Sequence, residues 1–425
     1  MAARRIFLSL FLLFVLGALA FWAWAWNPAI AAIEPPILSS FDASLISRGA
    51  QLVLIGNCNV CHTTPEGKSF AGGRPQATPF GTIYSTNITP DPDTGIGRWS
   101  EFAFRRSMRE GLDREGRHLY PAFPYDHFTK ITDEDITAIY AFMMTREPVY
   151  AETPANKLAF PFSIRALVAG WKLLFFDRGI FQPDPSKDEE LNRGAYLVEG
   201  LGHCGACHTP RNLLGAENMQ RKFAGGEAED WDTPALNASP PSGPWTREHL
   251  LAYLRSGLDG QHDAAAGPMA SVVRNLSQVN EQNLRAISSY IALLPERPSF
   301  ERQGSSGGTF ALARRNDTTT TTGEADALAK KGSVIFAEAC TDCHENELSQ
   351  STSVSGPQPR NAIHVILEGL QPTNGEPGVL MPAYSITLTD NQIAALVIYM
   401  RTQAGIKPHW SSVEDEVRRI RAGKK

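Results

Sequence analysis

Apolar residues recur with the same spacing at three places in the chain. They stand at positions i, i+2, i+3 and i+6 behind Thr132, Asn280 or Thr389, whose side chains can accept backbone N–H bonds. This periodicity after a capping residue predicts a helix with one buried face. The three sets are Ile136, Ala138, Ile139 and Phe142; Leu284, Ala286, Ile287 and Tyr290; and Ile393, Ala395, Leu396 and Tyr399. The pattern indicates an internal repeat.

Each repeat also begins with a predicted helix. The pairs Arg48-Gly49, Arg193-Gly194 and Lys331-Gly332 each precede apolar residues at helical spacing. We predict that the first and last helices of each repeat pack against each other. Such packing is how a small all-α domain can close over a cofactor.

The longest apolar run, residues 6–26, differs from these segments because Ser9 is its only clearly polar residue. A helix of 21 residues spans about 30 Å, the thickness of a hydrocarbon core. Arg4 and Arg5 precede the run and three tryptophans end it, which predicts a membrane anchor with a cytoplasmic N-terminus. A cleaved signal peptide is the alternative, since residues 29–31 read Ala-Ile-Ala.

The composition excludes one class of partner and leaves room for several domains. A chain of 425 residues accommodates roughly two to four domains. Its 40 Lys and Arg against 45 Asp and Glu form no basic patch, so nucleic acid is not an expected partner.

Two segments separate the repeats. Residues 151–190 contain an apolar stretch that we interpret as a helix that holds the first two domains together, or as a surface for a partner or quinone. Residues 304–323 are rich in Gly, Ser and Thr and predict a flexible tether.

All six cysteines belong to copies of one motif, Cys-x-x-Cys-His. In this signature the two thiols attach a c-type haem covalently and the histidine is an axial ligand to the iron. A single copy would also suit a thioredoxin-like redox pair, and zinc sites or disulfides are further alternatives. Three copies that use every cysteine of an exported chain predict three haem c groups. The residues are Cys58, Cys61 and His62; Cys204, Cys207 and His208; and Cys340, Cys343 and His344.

A second axial ligand is predicted in two of the repeats. Met269 lies 65 residues after Cys204, and Met381 lies 41 residues after Cys340. Each stands in a loop with proline just ahead of the closing helix, where a thioether can complete the coordination of a haem iron. The alternative for each is a core methionine.

The first repeat departs from this arrangement. The position 65 residues after Cys58 is Phe123, which cannot ligate iron. His127 follows in the same loop, and Met108 precedes it at helical spacing; an open or water-filled sixth site is the remaining alternative. With His127 as ligand, two nitrogen atoms would hold this iron, and we expect this haem to have the lowest reduction potential.

These residues, taken together, resemble the triheme cytochrome c subunits of bacterial periplasmic dehydrogenases. Such subunits are the electron-transfer partners of alcohol, gluconate and sorbitol dehydrogenases and of molybdenum-containing aldehyde and N-heterocycle dehydrogenases. The resemblance spans roughly residues 45–405. It is carried by Tyr84-Ser-Thr-Asn-Ile-Thr-Pro-Asp91, Thr94-Gly-Ile-Gly-Arg-Trp99, Phe175-Phe-Asp177, Gln182-Pro-Asp184, Arg193-Gly-Ala-Tyr-Leu-Val-Glu-Gly200, Gly205-Ala-Cys-His-Thr-Pro-Arg211 and Gly267-Pro-Met269.

The resemblance implies an all-α fold of three tandem class I cytochrome c-like domains after an N-terminal hydrophobic helix. The expected segments are an anchor or signal at 1–35, domain 1 at 40–150, a linker at 151–190, domain 2 at 191–298, a flexible linker at 299–325, domain 3 at 326–405 and a charged tail at 406–425.

It also implies a function as an electron-transfer subunit that is not catalytic alone. The family commonly carries Pro-Ala-Met-Pro in the first domain; the variant around Phe123 is similar to cytochrome subunits of molybdenum hydroxylases such as nicotinate, isoquinoline or aldehyde dehydrogenases. A molybdenum hydroxylase with an iron–sulfur subunit is therefore the favoured partner, with a quinoprotein or flavoprotein as alternatives. Ubiquinone or a terminal oxidase is the expected acceptor.

The expected location is the inner membrane, with the haem domains on the periplasmic side. Two rival functions remain: a multihaem peroxidase or reductase that uses an open site at haem 1, and a soluble shuttle cytochrome.

Overall fold

A computed structural model of the chain falls into two compact units, Met1–Gln182 and Pro183–Lys425. Of the predicted tether, residues 304–321 lie outside the described residues, and Thr322 begins a helix. The described residues are 2–240, 243–295, 322–344, 351–372, 380–407 and 410–423.

The first unit is helical with one small antiparallel sheet in the order β1-β2-β3. Its helices are α1 (Ala2–Ala25), α2 (Ala43–Ile55), α3 (Cys58–His62), α4 (Glu101–Glu110), α5 (Tyr125–Phe128), α6 (Asp133–Met144) and α7 (Leu167–Phe175). Its strands are β1 (Pro75–Thr78), β2 (Gly81–Tyr84) and β3 (Lys157–Leu158).

The second unit contains the other two repeats and, within its described residues, two short antiparallel hairpins, β4-β5 and β6-β7. Its helices are α8 (Glu189–Tyr196, continued as a π-turn to Leu201), α9 (Gly205–His208), α10 (Arg247–Ser256), α11 (Gly267–Leu276), α12 (Glu281–Ala292), α13 (Thr322–Ala339), α14 (Thr352–Ser355), α15 (Arg360–Glu368), α16 (Asp390–Gln403) and α17 (Val413–Arg421). Its strands are β4 (Gly226–Ala228), β5 (Trp231–Thr233), β6 (Leu258–Asp259) and β7 (Asp263–Ala264).

In each repeat the first helix crosses the last one at a glycine. A Cβ added to this glycine would lie within 3.0 Å of a backbone carbonyl of the partner helix, closer than real Cβ atoms come. Only glycine therefore permits the observed approach of the two backbones. The pairs are Gly49 of α2 with Ala138 of α6, Gly194 of α8 with Ala286 of α12, and Gly332 of α13 with Ala395 of α16. The predicted packing of first and last helices is confirmed.

The residue before each glycine ties the same two helices together at the start of the closing helix. Arg48 pairs with Asp135 at 2.6 Å, Arg193 donates to Asn283 at 3.0 Å, and Lys331 donates to Asn391. The closing helices begin at the predicted capping residues. Thr132, Asn280 and Thr389 each accept the backbone N–H three residues on.

The charged C-terminal stretch forms a helix with a buried face. Val413 and Val417 of α17 lie in the core of the third repeat with Trp410, alongside residues of α15 and α16. The charges lie on the outer side, where Arg418 pairs with Glu414 at 2.6 Å. The prediction of a tail at 406–425 treated this segment as separate from domain 3, whereas its apolar residues, four apart, pack into that core.

The predicted linker at 151–190 contributes structure to the first unit. Strand β3 pairs with β2. Val168 and Ala169 of α7 are buried, and the Lys172 ammonium donates to the carbonyl of Glu110 at 2.6 Å. The boundary between the two units falls inside this stretch, after Gln182.

Replacing Gly194 by Ala should destabilise the second repeat by about 1–3 kcal/mol, because the new methyl group overpacks the helix crossing. Urea unfolding of the full chain, followed by far-UV circular dichroism, measures the effect. Gly260→Ala in the same repeat is the control, since nothing lies within 4 Å of a Cβ at that position. Equal midpoints for the two variants would contradict the close crossing.

Candidate functional site: the haem-attachment motifs

Each Cys-x-x-Cys-His motif follows the first helix of its repeat and forms a helical turn. In the second and third repeats the N–H of His208 and of His344 donates to the carbonyl of the first cysteine, at 3.0 and 2.9 Å. All six cysteines lie within the described residues, and none of them forms a disulfide. The motif therefore presents two thiols and one imidazole from a single turn.

The histidines of the first two motifs are oriented by backbone carbonyls far along the chain. His62 Nδ1 lies 2.6 Å from Thr86 O, and His208 Nδ1 lies 2.8 Å from Pro234 O. Because a carbonyl only accepts hydrogen bonds, Nδ1 must carry the proton and Nε2 keeps a lone pair for a metal. Burial lowers the pKa of both histidines, which favours the neutral ring. Two cysteine thiols outside any disulfide, together with such an imidazole, fit a covalently attached haem.

The loop after each of these two motifs has the same backbone course. The N–H of Gly72 donates to His62 O, and that of Gly225 donates to His208 O. Two phenylalanines, Phe70 and Phe223, adopt left-handed backbone angles with φ of 64° and 61°. Each donates its N–H to the hydroxyl of the threonine after the motif, Thr63 or Thr209. The equivalence extends the sequence repeat into the loops.

An arginine binds the attachment turn in both repeats. Arg74 donates to the carbonyl of Val60 at 2.7 Å, and Arg211 donates to the carbonyl of Ala206 at 2.8 Å. Val60 and Ala206 are the residues just before the second cysteine of their motifs. Both guanidinium groups therefore fix the turn between the two thiols and add a positive charge beside it.

The stretch Tyr84–Asp91 positions the carbonyl that orients His62. Asn87 is buried beside Thr86 and donates to Val149 O at 2.7 Å, while its own side-chain oxygen accepts the N–H of Thr89 at 2.9 Å. Asp91 accepts the N–H of Thr94 at 2.7 Å and closes the turn. These bonds explain why the segment consists of short polar residues.

The loops with the predicted sixth ligands have a common register in the first two repeats. Helices α4 and α10 end at left-handed glycines, and the residue after each glycine bridges a residue further on. The bridges are Leu112 with His118 and Leu258 with Ala264. Phe123 lies five residues after His118, and Met269 lies five residues after Ala264. The structure thus aligns Phe123 with Met269 independently of the cysteine spacing.

The two predicted methionine ligands are partly buried and supported by neighbouring backbone. Met269 lies in the first turn of α11, after Gly267, whose φ of 52° brings its backbone against the indole of Trp231. Met381 bridges Leu370 directly after α15 and packs on the core of the third repeat.

In the first repeat Phe123 lies in an aromatic cluster. Its ring is 5.3 Å from that of Phe128 and 6.5 Å from that of Tyr125. The alternative ligands are both buried but stand elsewhere: His127 on α5, after Phe123, and Met108 on α4.

One charged cluster next to the second motif was not predicted. The indole of Trp231, on the hairpin before Pro234, stacks on His364 of α15 at 4.7 Å. Around this stack Asp230 pairs with Arg419 at 3.0 Å, and Glu227 pairs with Arg360 at 3.0 Å. The acidic run at 227–232 was the available sequence signal, but its basic partners lie more than a hundred residues away.

Protonation of His364 strengthens this cluster. Burial alone would lower the pKa of His364, but the carboxylates of Asp230 and Glu368 raise it to about 9. The pKa of a histidine in an unfolded chain is about 6.5. The stabilisation is therefore complete below that pH and is lost as the pH rises through about 9.

His364→Gln should remove about 1–3 kcal/mol of stability near pH 6 and little near pH 10. Urea unfolding of the full chain at the two pH values measures the difference. Ser333→Ala, a change outside the cluster that removes no titratable group, should keep the pH response of the original chain. A variant at His364 with an unaltered pH response would refute the role of this histidine.

Comparison with known proteins agrees with the geometry of the attachment motifs. The family described as cytochrome c matches residues 46–147, and the family described as cytochrome C oxidase, cbb3-type, subunit III matches residues 327–400.

Several dehydrogenase subunits are similar along most of the chain. A nicotinate dehydrogenase subunit of Pseudomonas putida is 43% identical over 96% of this chain, which spans 34% of that protein. The fructose dehydrogenase cytochrome subunit of Gluconobacter japonicus is 35% identical, with 92% of this chain and 85% of the relative covered. The gluconate 2-dehydrogenase cytochrome c subunit of Pantoea cypripedii is 34% identical, with 92% and 90% covered. The chain belongs to the family of cytochrome c subunits of dehydrogenases, which confirms the resemblance, and it is an electron-transfer protein that binds haem c.

Proposed function

We propose that the chain carries three haem c groups and conducts electrons from a dehydrogenase catalytic subunit to ubiquinone or another respiratory acceptor. The observation that carries the proposal is the fixed orientation of His62 and His208, each in one turn with two cysteines that form no disulfide. The same motif at Cys340, Cys343 and His344 gives the third site.

The residues of each site have separate roles. The cysteines Cys58, Cys61, Cys204, Cys207, Cys340 and Cys343 hold the porphyrin, and His62, His208 and His344 bind the iron. Met269 and Met381 are the proposed opposite ligands of the second and third haems. When bound, a haem supplies a reversible one-electron couple whose potential depends on the axial ligands and on burial. Covalent attachment keeps the cofactor in an exported protein.

The repeats define the proposed domains, at 40–150, 191–298 and 326–405, with the last extended by α17. The crossing of first and last helices at Gly49, Gly194 and Gly332 supports this division. Each domain would then enclose one haem between its attachment motif and its ligand loop.

We further propose that α1 stays on the mature chain and anchors it in the inner membrane, with the haem domains in the periplasm. It is long and apolar enough to cross a membrane. The end of α1 and the residues after it contact the rest of the first unit: His118 Nε2 lies 2.9 Å from Ala25 O, and Ile30 N–H donates to Arg114 O at 2.8 Å. A soluble shuttle would instead wash off membranes with salt.

The proposed partner is a molybdenum hydroxylase that acts on an aldehyde or an N-heterocycle. The Pseudomonas putida relative is named as part of a nicotinate dehydrogenase, and this name supports the choice over a quinoprotein or flavoprotein. So does the sequence Phe-Pro-Tyr-Asp-His at 123–127. Co-purification of the full chain with its catalytic subunit, followed by substrate-dependent reduction of its haems, tests the assignment.

Replacing Cys340 and Cys343 by Ser should reduce the haem content from three to two, because one pair of thioether bonds is lost. Intact-protein mass spectrometry and the pyridine haemochrome assay measure the number. Ser333→Ala, in helix α13 just before the motif, is the control and should retain all three. An unchanged haem content in the double variant would overturn the third site.

The first haem has its own test. His127→Ala should convert one haem from low spin to high spin, because the iron loses a nitrogen ligand, and electron paramagnetic resonance detects the change. Met108→Leu should leave the spectrum unaltered. Phe123→Met places sulfur in the register of Met269 and should raise the potential of this haem. A low-spin spectrum unaffected by His127→Ala would exclude the histidine.

Steady-state kinetics separate electron conduction from the rival peroxidase function. The full chain in liposomes should transfer electrons from a chemical reductant to a ubiquinone analogue and show no peroxide turnover. Peroxide turnover that increases when the site at haem 1 is opened by His127→Ala would instead support the multihaem peroxidase.

A further inference from the structure

The segment after the first repeat carries an exposed apolar surface, here called the α7 surface. It consists of Phe160, Phe162, Leu167, Leu173 and Leu174, and the side chains of Phe160, Leu173 and Leu174 are the most exposed, at 81, 73 and 67%. Five large apolar side chains within one short segment form a patch of the kind that marks an interaction site.

The opposite side of α7 packs against the rest of the first unit. Val168 and Ala169 are buried. The Lys172 ammonium turns inward and donates to the carbonyls of Glu110 and Gly111 at 2.6 and 2.8 Å. The only charge on the helix therefore points away from the exposed leucines, and the outer side of α7 is apolar.

The N-terminal helix crosses α7 on this outer side. A Cβ added to Gly170 would lie 3.9 Å from the ring of Phe21. Leu167 and Leu174 lie three residues before and four after Gly170, so they share its face of the helix and flank the crossing. Phe21 is four residues before the end of α1, a distance of about 6 Å along a helix axis.

The orientation of α1 relative to α7 is fixed by the chain that follows α1. Arg106 donates to Pro28 O at 2.7 Å, and Ile33 N–H donates to Arg98 O at 3.0 Å. His118 joins the two elements, since its Nε2 lies 2.9 Å from Ala25 O and its Nδ1 lies 3.1 Å from the Lys172 ammonium. Insertion of α1 into a bilayer therefore brings α7 to the bilayer as well.

We propose that the α7 surface lies in the boundary between headgroups and acyl chains of the phospholipid membrane, beside α1. Helices that lie in this boundary bury an apolar face to a depth of about 5–10 Å. The distance of about 6 Å between Phe21 and the end of α1 falls within that range. The inference rests on the proposed anchoring by α1. It gives the chain a second membrane contact that sets which side of the first unit faces the lipid.

Photolabelling from the lipid phase tests the contact in the full haem-loaded chain. The chain is reconstituted in vesicles of phosphatidylethanolamine and phosphatidylglycerol that contain a phospholipid with a diazirine on its acyl chain. After irradiation, mass spectrometry maps the adducts. We expect adducts both in α1 and in residues 160–175.

The double change Leu173→Ser and Leu174→Ser should reduce adducts in residues 160–175 about five-fold or more and leave those in α1 unaltered. Leu213→Ser with Leu214→Ser is the matched control, since this exposed pair lies in the second unit. An unchanged haem spectrum verifies that each variant is folded.

The outcomes separate the two proposals. Labelling of α1 without labelling of residues 160–175 would overturn the lipid contact, keep the anchor and assign the α7 surface to a protein partner. Absence of labelling from both segments would overturn the anchor and, with it, the lipid contact.

Discussion

The close crossing of the first and last helices in each repeat is the constraint on which the rest of the structure depends. At each crossing a carbonyl of the closing helix lies where a side chain at the glycine of the first helix would collide with it. Such contact fixes the rotation of the two helices as well as their distance, because a turn of either one would present a Cβ to the other backbone. The Cys-x-x-Cys-His motif follows the first helix, and the loop that contains the predicted sixth ligand precedes the last helix. The crossing therefore fixes how the motif and this loop are placed relative to each other.

The loops of the first two repeats each place a backbone carbonyl next to the histidine of the motif. The acceptors are Thr86 and Pro234, two residues of unlike chemistry, and they are supplied by the segments after the hairpins β1-β2 and β4-β5. A backbone acceptor is indifferent to its side chain. The loops can therefore diverge in sequence while the histidine keeps the same tautomer and the same free nitrogen.

The sequence could predict features that depend on residue types at fixed offsets along the chain. It could not predict contacts between residues that are distant in sequence. The caps at Thr132, Asn280 and Thr389 and the glycines of the crossings were predictable, because each depends on a residue type at a fixed offset. The carbonyl of Pro234 was not, since a backbone acceptor has no residue signature. The stack of Trp231 on His364 joins residues that are distant in sequence. The buried face of α17 was not predicted, because charged residues dominate the segment and only two valines, Val413 and Val417, mark its apolar side.

Phe123 links the loop of the first repeat to the packing of α7. It occupies the register of Met269, so the departure is a substitution within an intact loop and not a shift of the loop. Its ring, with no donor for iron, packs instead with Tyr125, whose own ring lies 6.2 Å from that of Trp171 on α7. The loop that would supply sulfur to the first haem is thus part of the aromatic packing that holds α7 on the first unit. The proposed lipid contact and the proposed site of the first haem therefore belong to one packed region. A methionine at position 123 would change both, because it would remove an aromatic ring from this cluster while it supplied a sulfur ligand.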